Sequence, residues 1–457
     1  MILFVGQVGT DVMGREAFQE VDYPAFFGPL AKWAVQIDHV DRVPEIISRA
    51  WTVASSGRPG PVVVALPEDM LVATSTAEPC HAVTIPEPAP AAADISALGD
   101  LLAESVRPVV IVGGTRWQED SARAIERFAV ANEIPVVAAF RFHDIIDNHC
   151  AAYAGDAGVG MNASMKTLLR DADLIIALNI RFGEATTDGY TLFDAPKMTA
   201  KLVHSHASDD EIGKIYVADL PLHAGPNRMA AALGDMVADR PQGRAGWYAD
   251  ARTAYLESLV PPAQPGDVDM GIITAQIQAR LPSDAIITHG AGNFSIWANK
   301  FMQYGRDQRL LGPQSGSMGF GLPAALAAKA RQESQQGALL LTQQLLRRLA
   351  GEDLDNALLN MLQEDLQALS AAEHDEITNA LHKQTTLLVT SARPLAPDQL
   401  QQLQHTLTDT LHQTVSLDTR LDESLISGIR LNIGPLTLHA NLVDELEFFK
   451  AELHHAI

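Results

Sequence analysis

The chain has 457 residues, 47% hydrophobic and 19% charged, with 33 Lys and Arg against 56 Asp and Glu for a formal net charge of −23. That length predicts two to four domains, since single cores stop growing near roughly 250 residues, and the composition excludes disordered, collagen-like and mucin-like chains. The negative balance disfavours nucleic acid as a partner. Two cysteines, Cys80 and Cys150, are too few for a disulfide framework or a Cys-rich zinc site, and runs such as Pro61 to Pro67 are far short of a bilayer span. The start, MILFVGQVGT, lacks a basic stretch followed by an apolar core, so the sequence reads as soluble and cytoplasmic.

Residues 1 to 330 alternate short apolar, β-branched runs with helical stretches and Gly-rich joints, the pattern of βαβ units winding a parallel sheet. Strands are predicted at Ile2 to Val5, Val62 to Leu66, Val109 to Val112, Val136 to Ala139, Leu174 to Leu178, Leu202 to His204 and Ala285 to Thr288. Their unbroken apolar character suits parallel strands covered on both faces. Thr74 to Ala93, with Pro79, Pro86, Pro88 and Pro90, and Val260 to Asp269 read as extended linkers. The expected organisation is α/β: a partial domain over 1–75, a complete Rossmann-like middle domain over 94–240, a partial domain over 265–332, and an α+β tail over 335–457. The tail differs chemically, since residues 331–457 hold 4 of the 32 glycines, no Trp, Tyr or Cys, but 29 leucines.

Within the middle domain, Val109 to Gly114 (VVIVGG) precedes a helix at Ser121 to Ala131. Glycines there let a phosphate approach a helix N-terminus, yet the dinucleotide fingerprint is incomplete, and a tight strand-to-helix turn is the preferred reading. His204 and His206, with Asp209 and Asp210, are read as a polar loop rather than a metal cluster. More specific are HGAGN at 289–293 and QSGSMGFGLPAALAAKA at 314–330, where Gly316, Gly319 and Gly321 allow close backbone approach and Pro323 opens an Ala-rich helix.

These stretches, together with GQVGTDVMGREAFQEVDYPAFFGPLAKW at 6–33 and SGRPGPVVVALPEDML at 56–71, resemble thiamine-diphosphate enzymes of the acetolactate synthase type. The resemblance implies 2-oxoacid carboligase or decarboxylase chemistry with thiamine diphosphate and magnesium, a homo-oligomer, and a middle domain for which FAD stays open. It also implies site roles. Gly290, Gly292, Asn293 and Gly316 would lie at the cofactor, Met318 would prop its bent conformation or else serve as a core residue, and Phe18, Gln19 and Lys32 would line the substrate channel.

Thiamine chemistry needs a carboxylate on the aminopyrimidine and a divalent cation on the diphosphate. The family carries the first upstream of the segment matched here, and Glu16, Glu20 and Glu45 stand in other motif contexts. Its metal motif, Gly-Asp-Gly, occurs nowhere in the sequence, and Gly155-Asp156 and Gly266-Asp267 lie in unrelated surroundings. Catalytic and metal residues are therefore expected to be missing and the chain to be inactive as a carboligase by itself.

In the tail, leucines from Leu339 to Leu369 recur at helical spacing, a strand is expected at Thr385 to Thr390, a helix runs to Leu411, and alternating strands follow at Val415, Leu417 and at Ile429, Leu431, Ile433, with a closing helix from about Asn441. LLVTSARPL at 387–395 and VSLDTRLDESLISGIRLNIG at 415–434, with Asp422, Leu425, Ser427-Gly428 and Gly434, resemble the delta subunit of rotary ATP synthases, especially fused b/delta stator subunits. That implies stalk and catalytic-head subunits as partners, and a peripheral membrane location only if the tail joins such an assembly. Leu339 to Leu381 is equally open to reading as a dimerisation surface.

Overall fold

The computed structural model describes residues 1–81, 83–349, 352–367, 386–411, 415–433 and 436–444. The chain divides into two compact units, Met1–Ala325 and Leu326–Ile457. The division falls a few residues before the change in composition at 331.

The first unit opens with a three-stranded parallel sheet in the order β1-β3-β2. Its elements are β1 (Ile2–Gln7), α1 (Tyr23–Phe27), β2 (Trp33–Gln36), α2 (Val43–Ser55), β3 (Val62–Pro67) and α3 (Glu68–Val72). Central β3 carries Val62, Val63, Val64 and Ala65, all buried, and α2 covers one face with Ile46, Ala50 and Ala54. Edge strand β1 leaves Leu3 and Phe4 exposed.

The middle region contains α4 (Ala92–Glu104), β4 (Pro108–Val112), α5 (Glu119–Asn132), β5 (Val136–Ala139), β6 (Tyr153–Ala157), α6 (Ala163–Asp171), β7 (Leu174–Leu178), β8 (Lys201–His206), β9 (Leu220–His223), α7 (Pro226–Leu233) and α8 (Arg244–Ser258). The six strands pair in parallel in the order β6-β5-β4-β7-β8-β9. This is a doubly wound α/β sheet whose strand order reverses between β4 and β7. Its two faces explain the blunt apolar runs: Val110 and Val112 of β4 enter a core with Leu98, Ile125 and Phe128, while Val109 and Ile111 enter another with Val137, Ile175 and Leu202. Burying each such side chain contributes about 1.5–3 kcal/mol, so strands covered on both faces are the most firmly held part of the unit. Of the expected linkers, 260–269 holds no regular element and 74–93 holds none among its described residues up to 91, α4 beginning two residues earlier than expected, at Ala92.

Beyond the second linker come α9 (Met270–Gln278), β10 (Ile286–Thr288), α10 (Ser295–Phe301), β11 (Arg309–Leu311) and α11 (Gly321–Leu349), with β10 and β11 forming only a two-stranded parallel pair.

The second unit contains α12 (Glu352–Gln367), β12 (Thr386–Ser391), α13 (Pro397–Leu411), β13 (Ser416–Leu421), β14 (Gly428–Ile433) and β15 (Leu436–Asn441). The sheet runs β13-β12-β14-β15, parallel between β12 and β13 and antiparallel elsewhere. Leu359, Leu362 and Leu366 of α12, with Leu403 and Leu407 of α13, form one core with Val389, Ile429, Leu431 and Ile433. Ser427-Gly428 makes the tight entry to β14: Gly428 has φ +87, a Cβ there would lie 2.1 Å from the Ala440 carbonyl, and its N–H donates to Asp355 at 2.8 Å. Asp355 also accepts from Arg393 Nε at 2.6 Å and from the Ser427 hydroxyl. Strand β15 was not foreseen, since the sequence reading ended its last strand near Ile433 and began a helix at about Asn441. The expected closing helix lies outside the described residues from 445 onward, as do Gly434 and the leucine at 381.

Candidate functional site

The glycine-rich stretches singled out by the sequence meet. The backbone leaves β10 at His289, whose N–H donates to Leu311 O at 3.1 Å and whose Nδ1 faces Gly290 O at 2.8 Å. A Cβ on Gly321 would sit 3.0 Å from the Gly290 nitrogen, and one on Gly290 would lie 3.7 Å from the Gly319 nitrogen. Thr288 Oγ1 ties the two turns together by donating to Gly321 O at 2.9 Å. Gly290 thus lies beside the Gly319–Gly321 backbone, and Gly316 and Gly319 of that exposed turn have positive φ and open space where a Cβ would stand. Gly292 and Asn293 are exposed. Met318 is 86% exposed and so is not a core residue of this chain.

The candidate channel residues stand differently. Phe18 is 89% exposed, and Gln19 holds φ +66 beside it. Lys32 donates to Ser56 O at 2.8 Å and lies against Gly60, with partial burial lowering its pKa. Glu20 closes its own loop by accepting from Gly14 and Ala17 N–H groups, which lowers its pKa, and Glu45 pairs with Arg42. Both glutamates are committed to local structure.

The residues were tested against the thiamine diphosphate and magnesium that the resemblance implies. The glycine turns suit close approach by a diphosphate. The metal does not fit the donor set: from Ile286 to Ala330 Asp307 is the only carboxylate, and it occupies an exposed turn. A diphosphate-bound magnesium needs oxygen donors of this kind. Among the described residues no group of three or more His, Cys, Asp or Glu could hold a metal ion.

A concavity lies over the carboxyl ends of β4, β5, β7 and β8. It has a volume of about 520 Å³ and is lined by residues including Arg58, Gly114, Asn179, Arg181 and His206. This is the strand-order reversal, the usual ligand crevice of an open α/β sheet. The Gly113-Gly114 turn is as tight as the sequence reading held: Gly114 has φ +70, and a Cβ there would lie 2.3 Å from Asn179 O, while one on Gly113 would lie 2.8 Å from Ala139 Cβ. Position on the reversal gives the turn a ligand-facing side as well. The polar Asn179 and Arg181 after the apolar run of β7 were the available signal and were passed over.

The polar-loop reading of His204 and His206 is corrected: His204 lies in β8, as the strand expected at Leu202 to His204 has it, and His206 lies in the same strand, both buried, with His204 Nε2 donating to Ile180 O at 3.1 Å. Burial lowers the pKa of both, that of His204 to about 4, so His204 is a neutral core residue near neutral pH. Strand β8 starts one residue earlier than expected, at Lys201, and ends two residues later because Ser205 and His206 are still buried.

Comparison with known proteins agrees with this geometry. Residues 95–233 match the thiamine pyrophosphate enzyme central domain, residues 290–340 the thiamine pyrophosphate enzyme C-terminal TPP binding domain, and residues 342–453 the ATP synthase delta (OSCP) subunit. The acetolactate synthase isozyme 2 large subunit of Escherichia coli (strain K12) is 27% identical over 331 residues, covering 72% of this chain and 59% of the relative. The isozyme 1 large subunit of the same organism is 29% identical over 335 residues, covering 72% and 58%. The acetolactate synthase large subunit of Corynebacterium glutamicum is 28% identical over 345 residues, covering 72% and 54%. The chain thus spans somewhat more than half the length of these curated relatives. Domains of the matched family imply thiamine diphosphate binding in that family. No helix among the described residues is long and apolar enough to cross a membrane.

Proposed function

We propose that the chain joins an incomplete acetolactate synthase-like scaffold to a delta-like binding module, and that by itself it catalyses no carboligation. The observation that carries this is the donor set: the glycine turns that would receive a diphosphate have Asp307 as the sole carboxylate between Ile286 and Ala330, and from Gly321 the chain runs as helix α11. A diphosphate on those turns would meet backbone groups without a cation to offset its charge, which weakens binding and leaves nothing to hold the cofactor in register. Isothermal titration of the full chain with thiamine diphosphate and magnesium tests the reading, and heats too small to give a dissociation constant are expected. Micromolar binding, or release of carbon dioxide from pyruvate, overturns it in favour of an active carboligase.

A specific observation favours partner binding by the tail. Its leucine-rich core closes on α12, α13 and four strands, a self-contained unit of the kind that acts by packing against other subunits. On this reading residues 335–457 engage ATP synthase stalk and catalytic-head subunits in a stator role, and the chain is peripheral at the membrane only in that assembly. Co-purification with those subunits, retained when residues 1–330 are deleted, is the expected result. The first part is expected to self-associate through exposed apolar faces such as Phe18, Phe26 and Leu30.

A further inference from the structure

A cavity of about 490 Å³ lies beside β6 within the first unit, walled by α6, α8 and α10 and sharing no lining residue with the strand-end crevice. Its walls are apolar and rich in sulfur: Trp247 and Tyr255 of α8, Phe301 of α10, Met165 of α6, and Met161 and Met302 from adjoining loops. Met161, Met165, Tyr255 and Met302 are otherwise buried. Gly155 in β6 makes room for two of them: it has φ +110, and a Cβ there would lie 3.1 Å from Met165 Cε and from the Tyr255 ring. Three aromatic side chains with thioethers among them favour a flat aromatic occupant over a branched aliphatic one. The volume falls within the range of small-molecule pockets.

Much of the polar lining is spent inside the protein. Asn148 Nδ2 donates to His143 O at 2.8 Å and its Oδ1 accepts from Tyr304 N at 2.9 Å, while Asn162 Oδ1 accepts from Met165 N at 2.8 Å. Trp247 Nε1 donates to Pro108 O at 3.0 Å. Two opposite charges in the wall keep capacity for a ligand. Lys300 of α10 is half-buried and forms no ion pair among the described residues. Asp156 of β6 is 15% exposed and lies 3.3 Å from His143 Nε2. Burial lowers the Lys300 pKa; the charge of Asp156 opposes that shift, and Lys166, itself paired with Asp188, adds to it. The wall thus holds a cation and an anion near each other, with the exposed Asp250 as a further negative charge. An ionic ligand would be attracted by one member and repelled by the other, and would lose hydration against an apolar wall. A neutral hydroxyl meets both, since it donates to a carboxylate and accepts from an ammonium.

We propose that this cavity binds an uncharged aromatic molecule carrying a hydroxyl group, with its rings against Trp247, Tyr255 and the methionines and its hydroxyl between Lys300 and Asp156. The site involves neither the glycine turns nor the tail, so it stands whether or not the proposed function holds.

The test is isothermal titration of the full chain at about pH 7.5 with probes that share one ring system: neutral 2-naphthol, anionic 2-naphthoate and cationic 2-naphthylmethylammonium. Naphthol is expected to bind tighter than about 1 mM, and about tenfold or more tighter than either ion. Ala254→Phe, which adds a ring to the α8 wall, is expected to weaken naphthol binding by about tenfold or more. Lys300→Met is expected to weaken it by about threefold and to strengthen binding of the ammonium probe, because Asp156 then lacks its opposing charge. Should Ala254→Phe fail to fold by circular dichroism, the two measurements on Lys300→Met decide. No binding of naphthol at about 2 mM, binding of either ion as tight as that of naphthol, or affinities unchanged in both Lys300→Met and a folded Ala254→Phe overturns the proposal.

Discussion

Two glycine turns in the first unit look alike in sequence and differ in what surrounds them. The Gly113-Gly114 turn leaves a central strand of a six-stranded sheet with a core on each face, and its glycines touch Asn179, Ala139 and Ile180. The Gly316–Gly321 turn stands beside a two-stranded pair, with Met318 exposed and nothing near a Cβ at Gly316 or Gly319. A glycine motif therefore states only that the backbone needs freedom. Whether that freedom serves packing or an approaching ligand is decided by neighbours that arrive from distant parts of the chain.

Substitution separates the two cases most sharply. Gly114→Ala combines a left-handed backbone with a carbon 2.3 Å from a carbonyl oxygen, and is expected to destabilise the central region by about 3 kcal/mol or more. Gly316→Ala meets the backbone penalty alone, about 1 kcal/mol. Urea midpoints of the two variants check this, with the chain's transitions resolved separately because two units need not unfold together. Equal losses would erase the distinction drawn between the turns.

Much of this arrangement was legible in the sequence and some was not, for identifiable reasons. Seven strands of the first unit were found because apolar runs such as VVIV and LIIAL, buried on both faces, carry their own signal. Strands β2, β6, β9 and β11 were missed: WAVQ, YAGDA, LPLH and RLL mix polar, small and proline residues, and only pairing with a neighbour extends them. Of the candidate site residues, Gly290 lies beside the Gly319 and Gly321 backbone, whereas the exposure of Met318 was invisible because it depends on what packs from elsewhere. The aromatic cavity beside β6 was beyond reach for the same reason. Its wall is assembled from residues between Asn148 and Met302, and no single stretch of them gives a sign of it.

Acid is expected to distinguish the two units themselves. In the first, burial lowers the His204 pKa from 6.5 to about 4, so the unfolded chain takes up a proton that the folded chain refuses. Its stabilising contribution is intact above pH 6.5 and falls as the pH drops from there to about 4, by about 3 kcal/mol. His206 is shifted the same way by burial and adds to the effect. In the second unit Asp444 accepts from Arg430 at 2.7 Å and from Asn441 at 2.6 Å, with His439 also bound, and its pKa is lowered from 3.8 to about 2 despite some desolvation. That contribution is complete above pH 3.8 and is lost only as the pH falls through about 2. Solvent screening of this partly exposed cluster reduces it to about 1 kcal/mol.

The smaller of these effects is the more discriminating. Asp444→Asn is expected to lower the stability of the second unit by about 1 kcal/mol at neutral pH, since Arg430 loses its ion pair but a side-chain oxygen can still accept from it. The variant's stability is then expected to be flatter between pH 4 and pH 2 than that of the parent, because the titrating group has gone. Chemical denaturation followed at several pH values, with a probe confined to residues 386–444, measures both quantities. A parent unit that weakens between pH 6.5 and 4 as the first unit does would show that its acid response comes from elsewhere than Asp444, and the contrast between a buried histidine and a surface carboxylate cluster would fail.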